Sequence, residues 1–133
     1  MNVDGKIAVI TGASSGLGAS LAEALVTKGG IVYGLARNAE KLQAIANKMG
    51  EKFIPVSMDI TDSKEIASWV ANTFSDSRLP DILINNAGAC YFTKIDELSL
   101  ERRHEMINTT LNGAFYITSK IFPSMKGNPN TCH

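Results

Sequence analysis

The scarcities of this sequence exclude several classes of protein. Its 133 residues include only two cysteines, Cys90 and Cys132. That is too few for a disulfide scaffold, and no His/Cys cluster has zinc spacing, so no metal site is expected. Neither sign of charge dominates: Lys plus Arg and Asp plus Glu both number 13, for a formal net charge of +0. Such a balance favours neither nucleic acid nor an anionic membrane as a partner. No apolar run approaches the roughly 20 residues needed to span a bilayer. The opening Met1-Asn2-Val3-Asp4-Gly5-Lys6 lacks the basic, apolar, small-residue pattern of a signal peptide. A reducing compartment, most simply the cytoplasm, is the expected setting. What remains is ordinary: 44% hydrophobic and 20% charged residues, enough to bury one core and too apolar for disorder.

Short apolar runs alternate with longer helical patterns, the signature of a parallel sheet. Ile7-Ala8-Val9-Ile10 is continuous rather than alternating and predicts a strand covered on both faces. A helix follows from Gly16, with Leu17, Leu21, Ala24, Leu25 and Val26 as its apolar positions and Gly29-Gly30 as its stop. Ile31 to Leu35 reads as a second strand. Asn38 caps a helix that buries Leu42, Ile45, Ala46 and Met49 and ends at Gly50. Phe53 to Val56 is a third strand, placed at an edge by Pro55. Asp62 and Glu65 form a capping box ahead of a helix with Ile66, Trp69, Val70 and Phe74 on one face. Asp81 to Ile84 is a fourth buried strand, reached through a loop from Ser75 to Pro80. Ser99 caps a last helical stretch with Ile107, Leu111, Ala114, Phe115, Thr118, Ile121, Phe122 and Met125 in period, kinked or ended by Pro123. Residues 1–126 thus read as one unit and 127–133 as an irregular tail.

The chemistry concentrates in Thr11-Gly12-Ala13-Ser14-Ser15-Gly16-Leu17-Gly18, which joins a buried strand to a helix. Glycines there permit a sharp turn, a close approach of backbone to a pyrophosphate, and tight packing of helix on sheet. The helix start offers unpaired N–H groups and partial positive charge, and Ser14 and Ser15 add hydroxyl donors. The spacing is G-x-x-x-G-x-G rather than G-x-G-x-x-G, and no Gly-Lys-Ser/Thr follows, which excludes a P-loop. About 20 residues on, dinucleotide folds select their ribose: an acid there binds the 2′-hydroxyl of NAD. Here the segment is Leu35-Ala36-Arg37-Asn38. A guanidinium suits a 2′-phosphate, which favours NADP over NAD.

With this turn, Asp59-Ile60 after the third strand and Asn85-Asn86-Ala87-Gly88 after the fourth, the chain resembles the short-chain dehydrogenase/reductase family, in its classical form, from Gly5 to about Lys126. The fold so implied is α/β: a three-layer Rossmann-type parallel sheet of about four strands, order 3-2-1-4, with helices on both faces. The resemblance implies that Gly12, Ser14, Ser15, Gly16, Leu17 and Gly18 line the pyrophosphate and that Arg37 faces the adenosine 2′-phosphate. Asp59 would meet the adenine amino group with Ile60 beside the ring, and Asn86, Ala87 and Gly88 would pass under the second ribose. Read singly, Asp59 could equally be a turn residue, and Asn85 and Asn86 could simply tie loop to strand. Asn112, in Thr110-Leu111-Asn112-Gly113, resembles the family's catalytic Asn, which interrupts a helix and orders a water.

The family moves a hydride between a nicotinamide and a carbonyl or alcohol carbon with a Tyr, a Lys and a Ser. Its Y-x-x-x-K pair lies on a helix after a fifth strand, which this sequence does not reach. Tyr116-Ile117-Thr118-Ser119-Lys120 matches as a string, but it stands four residues after Asn112 on the same helix and is expected to be structural. His104, in a run of charged residues, reads as solvated, and nothing marks Cys90 as an activated thiol. The expectation is therefore an NADP-dependent oxidoreductase by descent, inactive as a truncated or fragmentary chain, with the fourth strand left as an open apolar edge. Its substrate, once completed, would be a small carbonyl or alcohol. The alternative is a non-catalytic nucleotide-binding or subunit-interaction module, with self-association through the long helix around 100–125 that serves relatives as a dimer face. A Rossmann methyltransferase fits less well, because it wants an acid where Arg37 stands.

Overall fold

The computed structural model describes residues 2–75 and 77–128; residues 129–133 of the expected tail, Cys132 among them, lie outside the described residues. The strands β1 (Ile7–Thr11), β2 (Ile31–Ala36), β3 (Phe53–Ser57) and β4 (Ile82–Ile84) form one parallel sheet in the order β3-β2-β1-β4. Between them run α1 (Gly16–Thr27), α2 (Ala39–Met49) and α3 (Ser63–Thr73). After β4 come α4 (Leu100–Ile107), a π-helical turn (Asn108–Gly113) and α5 (Ala114–Lys126).

Both faces of the sheet are covered, and successive side chains divide between them. Ile7 and Val9 of β1 join Tyr33, Leu35, Ile66, Val70, Ile117 and Ile121 under α3 and α5. Ala8 and Ile10 join Val32, Ala22, Leu42 and Phe53 under α1 and α2. This is why β1 and β2 are apolar without alternation. Pro55 lies on the edge strand β3, where a residue with no N–H costs least. At the opposite edge β4 pairs, among the described residues, with β1 alone, and its three residues are half-buried. Asp81 anchors the bottom of the sheet. Its carboxylate accepts from Ile7 N (2.8 Å), Lys6 Nζ (3.2 Å) and the side chain of Asn128 (3.0 Å).

Several local expectations need correction. In α1 the buried residues are Gly18 and Ala22, whereas Leu17 is exposed and so is Ala24. The helix docks through its smallest residues, which turns the neighbouring Leu17 outward. The helical stretch after Ser99 is not uniform, and its buried line runs Gly113, Ile117, Ile121. Leu111 and Phe115, expected to face the core, are 66% and 68% exposed. Pro123 does not end α5, which continues to Lys126. Asp62 caps α3 through Lys64 N and Glu65 N, but Glu65 does not close a capping box. Its carboxylate instead accepts from Asp59 N at 3.4 Å.

Candidate functional site

A cavity of about 380 Å³ opens where β1, β2 and β3 end and the segment after β4 begins. This is the crevice at the carboxyl ends of the strands, where parallel α/β sheets take ligands. It is lined by Gly12, Ser14 and Ser15 from the first turn, by Leu35 to Asn38 from the end of β2, and by Met58, Asp59 and Ile60 after β3. Asn86, Ala87, Gly88 and Thr109 complete it.

The first turn owes its shape to two glycines. Gly12 has φ +68°, and a Cβ there would stand 2.9 Å from Ala87 Cα. At Gly18 a Cβ would run into the carbonyl oxygen of Gly12 and the amide of Asn86. Strand, turn, helix and the loop after β4 therefore meet with no room for a side chain at either glycine. Ser15 occupies the N-cap of α1, yet its side chain makes no capping bond. Neither Ser14 nor Ser15 spends its hydroxyl on a partner among the described residues, and no acid stands in the first turn of α1. The two serines border one open space beside the N-terminus of a helix, an arrangement suited to an anion.

Thr11 holds this turn to the opposite wall. Its side chain is buried, and its hydroxyl oxygen accepts from Asn86 N (3.0 Å) and Ala87 N (2.9 Å). In return, Asn86 Nδ2 donates to the carbonyl oxygens of Thr11 (3.0 Å) and Gly12 (3.2 Å). Asn86 thus does the tying work that its side-chain chemistry allowed, and it also lines the cavity. Asn85 points elsewhere and donates to Thr118 Oγ1 at 3.0 Å. Asp59 has two tasks as well. Its Oδ1 accepts from the backbone and hydroxyl of Thr61 (2.9 and 2.8 Å), while Oδ2 accepts nothing among the described residues.

Arg37 stands at the rim, with its side chain 65% exposed and Nη2 3.8 Å from Glu105 Oε1. The other oxygen of Glu105 accepts from the hydroxyl of Tyr91. That bond, above all, holds the Tyr91 phenol above its ordinary pKa, and the charges of Arg102 and Arg37 oppose the rise.

Of the residues singled out from the sequence, Gly12, Ser14, Ser15, Arg37, Asp59, Ile60, Asn86, Ala87 and Gly88 converge on one cavity. Gly16, Leu17 and Gly18 do not line it; they form the first turn of α1. Asn112 does not line it either. Its Nδ2 donates to Asn108 Oδ1, one turn back, at 2.8 Å. The π turn meets the loop through Thr110, whose hydroxyl accepts from Ala89 N at 3.2 Å and is the nearest atom to Gly88's missing side chain. Sequence reasoning did not single out Thr11, Leu35, Ala36, Asn38, Met58, Thr109 or Thr110 as site residues. Only Thr11 carried a signal, as a polar residue closing an apolar run beside a glycine. Tyr116 packs half-buried against the core and Lys120 is exposed; neither borders the cavity.

The sequence pattern described as short chain dehydrogenase matches residues 6–131. The chain belongs to the short chain dehydrogenase family. It is 32% identical over 125 residues to the 3-oxoacyl-[acyl-carrier-protein] reductase FabG of Escherichia coli (strain K12), covering 94% of this chain and 51% of that protein. It is 35% identical over 118 residues to serine 3-dehydrogenase of Agrobacterium fabrum, covering 88% and 47%. Among solved structures, a 3-ketoacyl-(acyl-carrier-protein) reductase from Brucella melitensis complexed with NADH superposes with a TM-score of 0.88 at 28% identity, over 95% of this chain and 52% of the other. The closed form of a serine dehydrogenase complexed with NADP+ gives 0.83 at 28% identity, over 90% and 48%. The chain spans about half the length of these relatives. Among the described residues no helix is long and apolar enough to cross a membrane.

Proposed function

We propose that this chain is the nucleotide-holding portion of a short-chain oxidoreductase and that it takes the 2′-phosphorylated dinucleotide, NADP(H), in preference to NAD(H). The convergence of Ser14, Ser15, Arg37 and the open oxygen of Asp59 on one crevice carries the reading. At about 380 Å³ the cavity has the size of a small-molecule site. It joins a polar turn for a pyrophosphate to a cation and an acceptor for an adenosine end.

When bound, the dinucleotide supplies a hydride at C4 of its nicotinamide. This chain binds and orients it. The N–H groups at Gly16 to Gly18 and the hydroxyls of Ser14 and Ser15 hold the pyrophosphate. Arg37 pairs with the 2′-phosphate, Asp59 Oδ2 accepts from the adenine amino group, and Ile60 covers the ring. Asn86 to Gly88, fixed by Thr11, form the wall under the second ribose. The substrate of the completed enzyme is a carbonyl compound or the corresponding alcohol. Because Tyr116 and Lys120 stand away from the crevice, the 133-residue chain is expected to bind nucleotide without turnover.

A subunit-interaction role is favoured by one further observation. Ile107, Leu111, Phe115 and Phe122 form an exposed apolar line along the last helices, 43–68% exposed. Such a line suits self-association, or docking on a longer relative, through residues around 100–125.

Titration calorimetry with NADPH, NADH and S-adenosylmethionine tests the proposal. NADPH is expected to bind most tightly, and Arg37→Gln to weaken it about tenfold while changing NADH little. Binding of S-adenosylmethionine alone, or no shift of the Gly12 to Gly18 amides with NADPH, would overturn it.

A further inference from the structure

The cation at the rim of the crevice already has an anion of the protein's own. Arg37, at the end of β2, meets Glu105 of α4 at 3.8 Å, beyond hydrogen-bond range. Glu105 is kept near by its second oxygen, which accepts from the hydroxyl of Tyr91 in the segment between β4 and α4. The guanidinium of Arg102 lies over the Tyr91 ring, 5.0 Å from its centre. One carboxylate therefore stands between the guanidinium of Arg37 and the phenol of Tyr91, at the rim of the crevice that Arg37 lines.

We propose that Glu105 is a specificity-determining residue: an internal competitor for Arg37 that sets how strongly the site prefers a phosphorylated ribose. This rests on the reading of Arg37 as the ligand of a 2′-phosphate. A loose, largely exposed ion pair is weak and can be displaced. A phosphate can take the same guanidinium through two short, charge-assisted bonds. The incoming phosphate must displace Glu105 from Arg37 and then remain beside its negative charge, since Tyr91 keeps the carboxylate in place. A ribose with a bare 2′-hydroxyl meets neither penalty. Glu105 thus narrows the margin between the two dinucleotides without touching the rest of either.

Glu105→Gln keeps an acceptor for Tyr91 and removes the charge. The probes are 2′,5′-ADP and NADPH against AMP and NADH, titrated into the 133-residue chain at low ionic strength. In Glu105→Gln the two 2′-phosphorylated ligands are expected to bind roughly two- to fivefold more tightly, the range of an exposed ion pair. AMP and NADH should be unchanged, and the gain should shrink at high salt. In an Arg37→Gln background the gain should be smaller, because only the repulsion between Glu105 and the phosphate is left to relieve. Unchanged affinity for 2′,5′-ADP in Glu105→Gln, or an equal gain for AMP, would overturn the inference. If Arg37→Gln itself leaves 2′,5′-ADP and NADPH binding untouched, it is instead the reading of Arg37 that fails.

Discussion

Replacing Thr11 with Val keeps the shape of a buried side chain and removes one oxygen. In the folded protein that oxygen accepts from two backbone N–H groups, those of Asn86 and Ala87, at 3.0 and 2.9 Å. A buried donor left without a partner costs about 1–3 kcal/mol. Both residues are only half-buried, so water can recover part of the loss, and the net expectation for Thr11→Val is about 2 kcal/mol. Thr11→Ser is the control. It retains the acceptor and loses one buried methyl, about 0.8 kcal/mol. In urea, with a slope of about 2 kcal/mol per molar for a domain of this size, the midpoint should fall by about 1 M for Val and by less than half of that for Ser. NADPH affinity should follow the same order, because the loop from Asn86 to Gly88 is a wall of the cavity. If Val lies within about 0.5 kcal/mol of the parent, or Ser costs more than Val, the account of Thr11 as the clamp between turn and loop is wrong.

Gly18→Ala places a methyl against the Gly12 carbonyl and the Asn86 amide; overpacking of this kind costs about 1–3 kcal/mol, and thermal unfolding should show it alongside weaker nucleotide binding. Asp62→Ala removes the acceptor for Lys64 N and Glu65 N at the start of α3 and should lower stability by about 1 kcal/mol in the same assay, with nucleotide affinity little changed. Tyr91 should ionise above the ordinary tyrosine value because protonation is needed for its bond to Glu105. Its raised value means that this contribution is present below the unfolded tyrosine pKa and fades as pH climbs through the folded one. Ultraviolet titration should therefore show one late-ionising tyrosine that returns toward the ordinary value in Tyr91's neighbour variant Glu105→Ala.

How far the sequence could be read depends on what fixed each feature. The strands and the first turn were legible because each rests on local pattern: unbroken apolar runs, a glycine at each sharp bend, capping side chains at Asn38, Asp62 and Ser99; the strand order came with the family resemblance. Arg37 was legible from its place at the end of the second strand, and Asp59 through the family resemblance. The last helices were not, and the cause is one change of period. Between Asn108 and Gly113 the backbone is π-helical, so bonds close over five residues rather than four. An α-helix turns about 100° per residue, so inserting one residue carries every later side chain about that far around the axis. A wheel drawn at constant period across this turn puts Phe115 in the core and overlooks Ile117, which is fully buried. The same slip bears on the site. The turn presents Thr110 to the loop at Ala89, while Asn112, two positions on, reaches back to Asn108. The family resemblance singled out Asn112 for catalysis, while the residue of this turn that touches the loop is Thr110. Thr110→Val should therefore loosen the Ala89 amide, read as faster hydrogen exchange there, whereas Asn112→Ala should leave that amide unchanged. Equal effects of the two substitutions would show that the turn holds the loop through its backbone and not through the Thr110 hydroxyl.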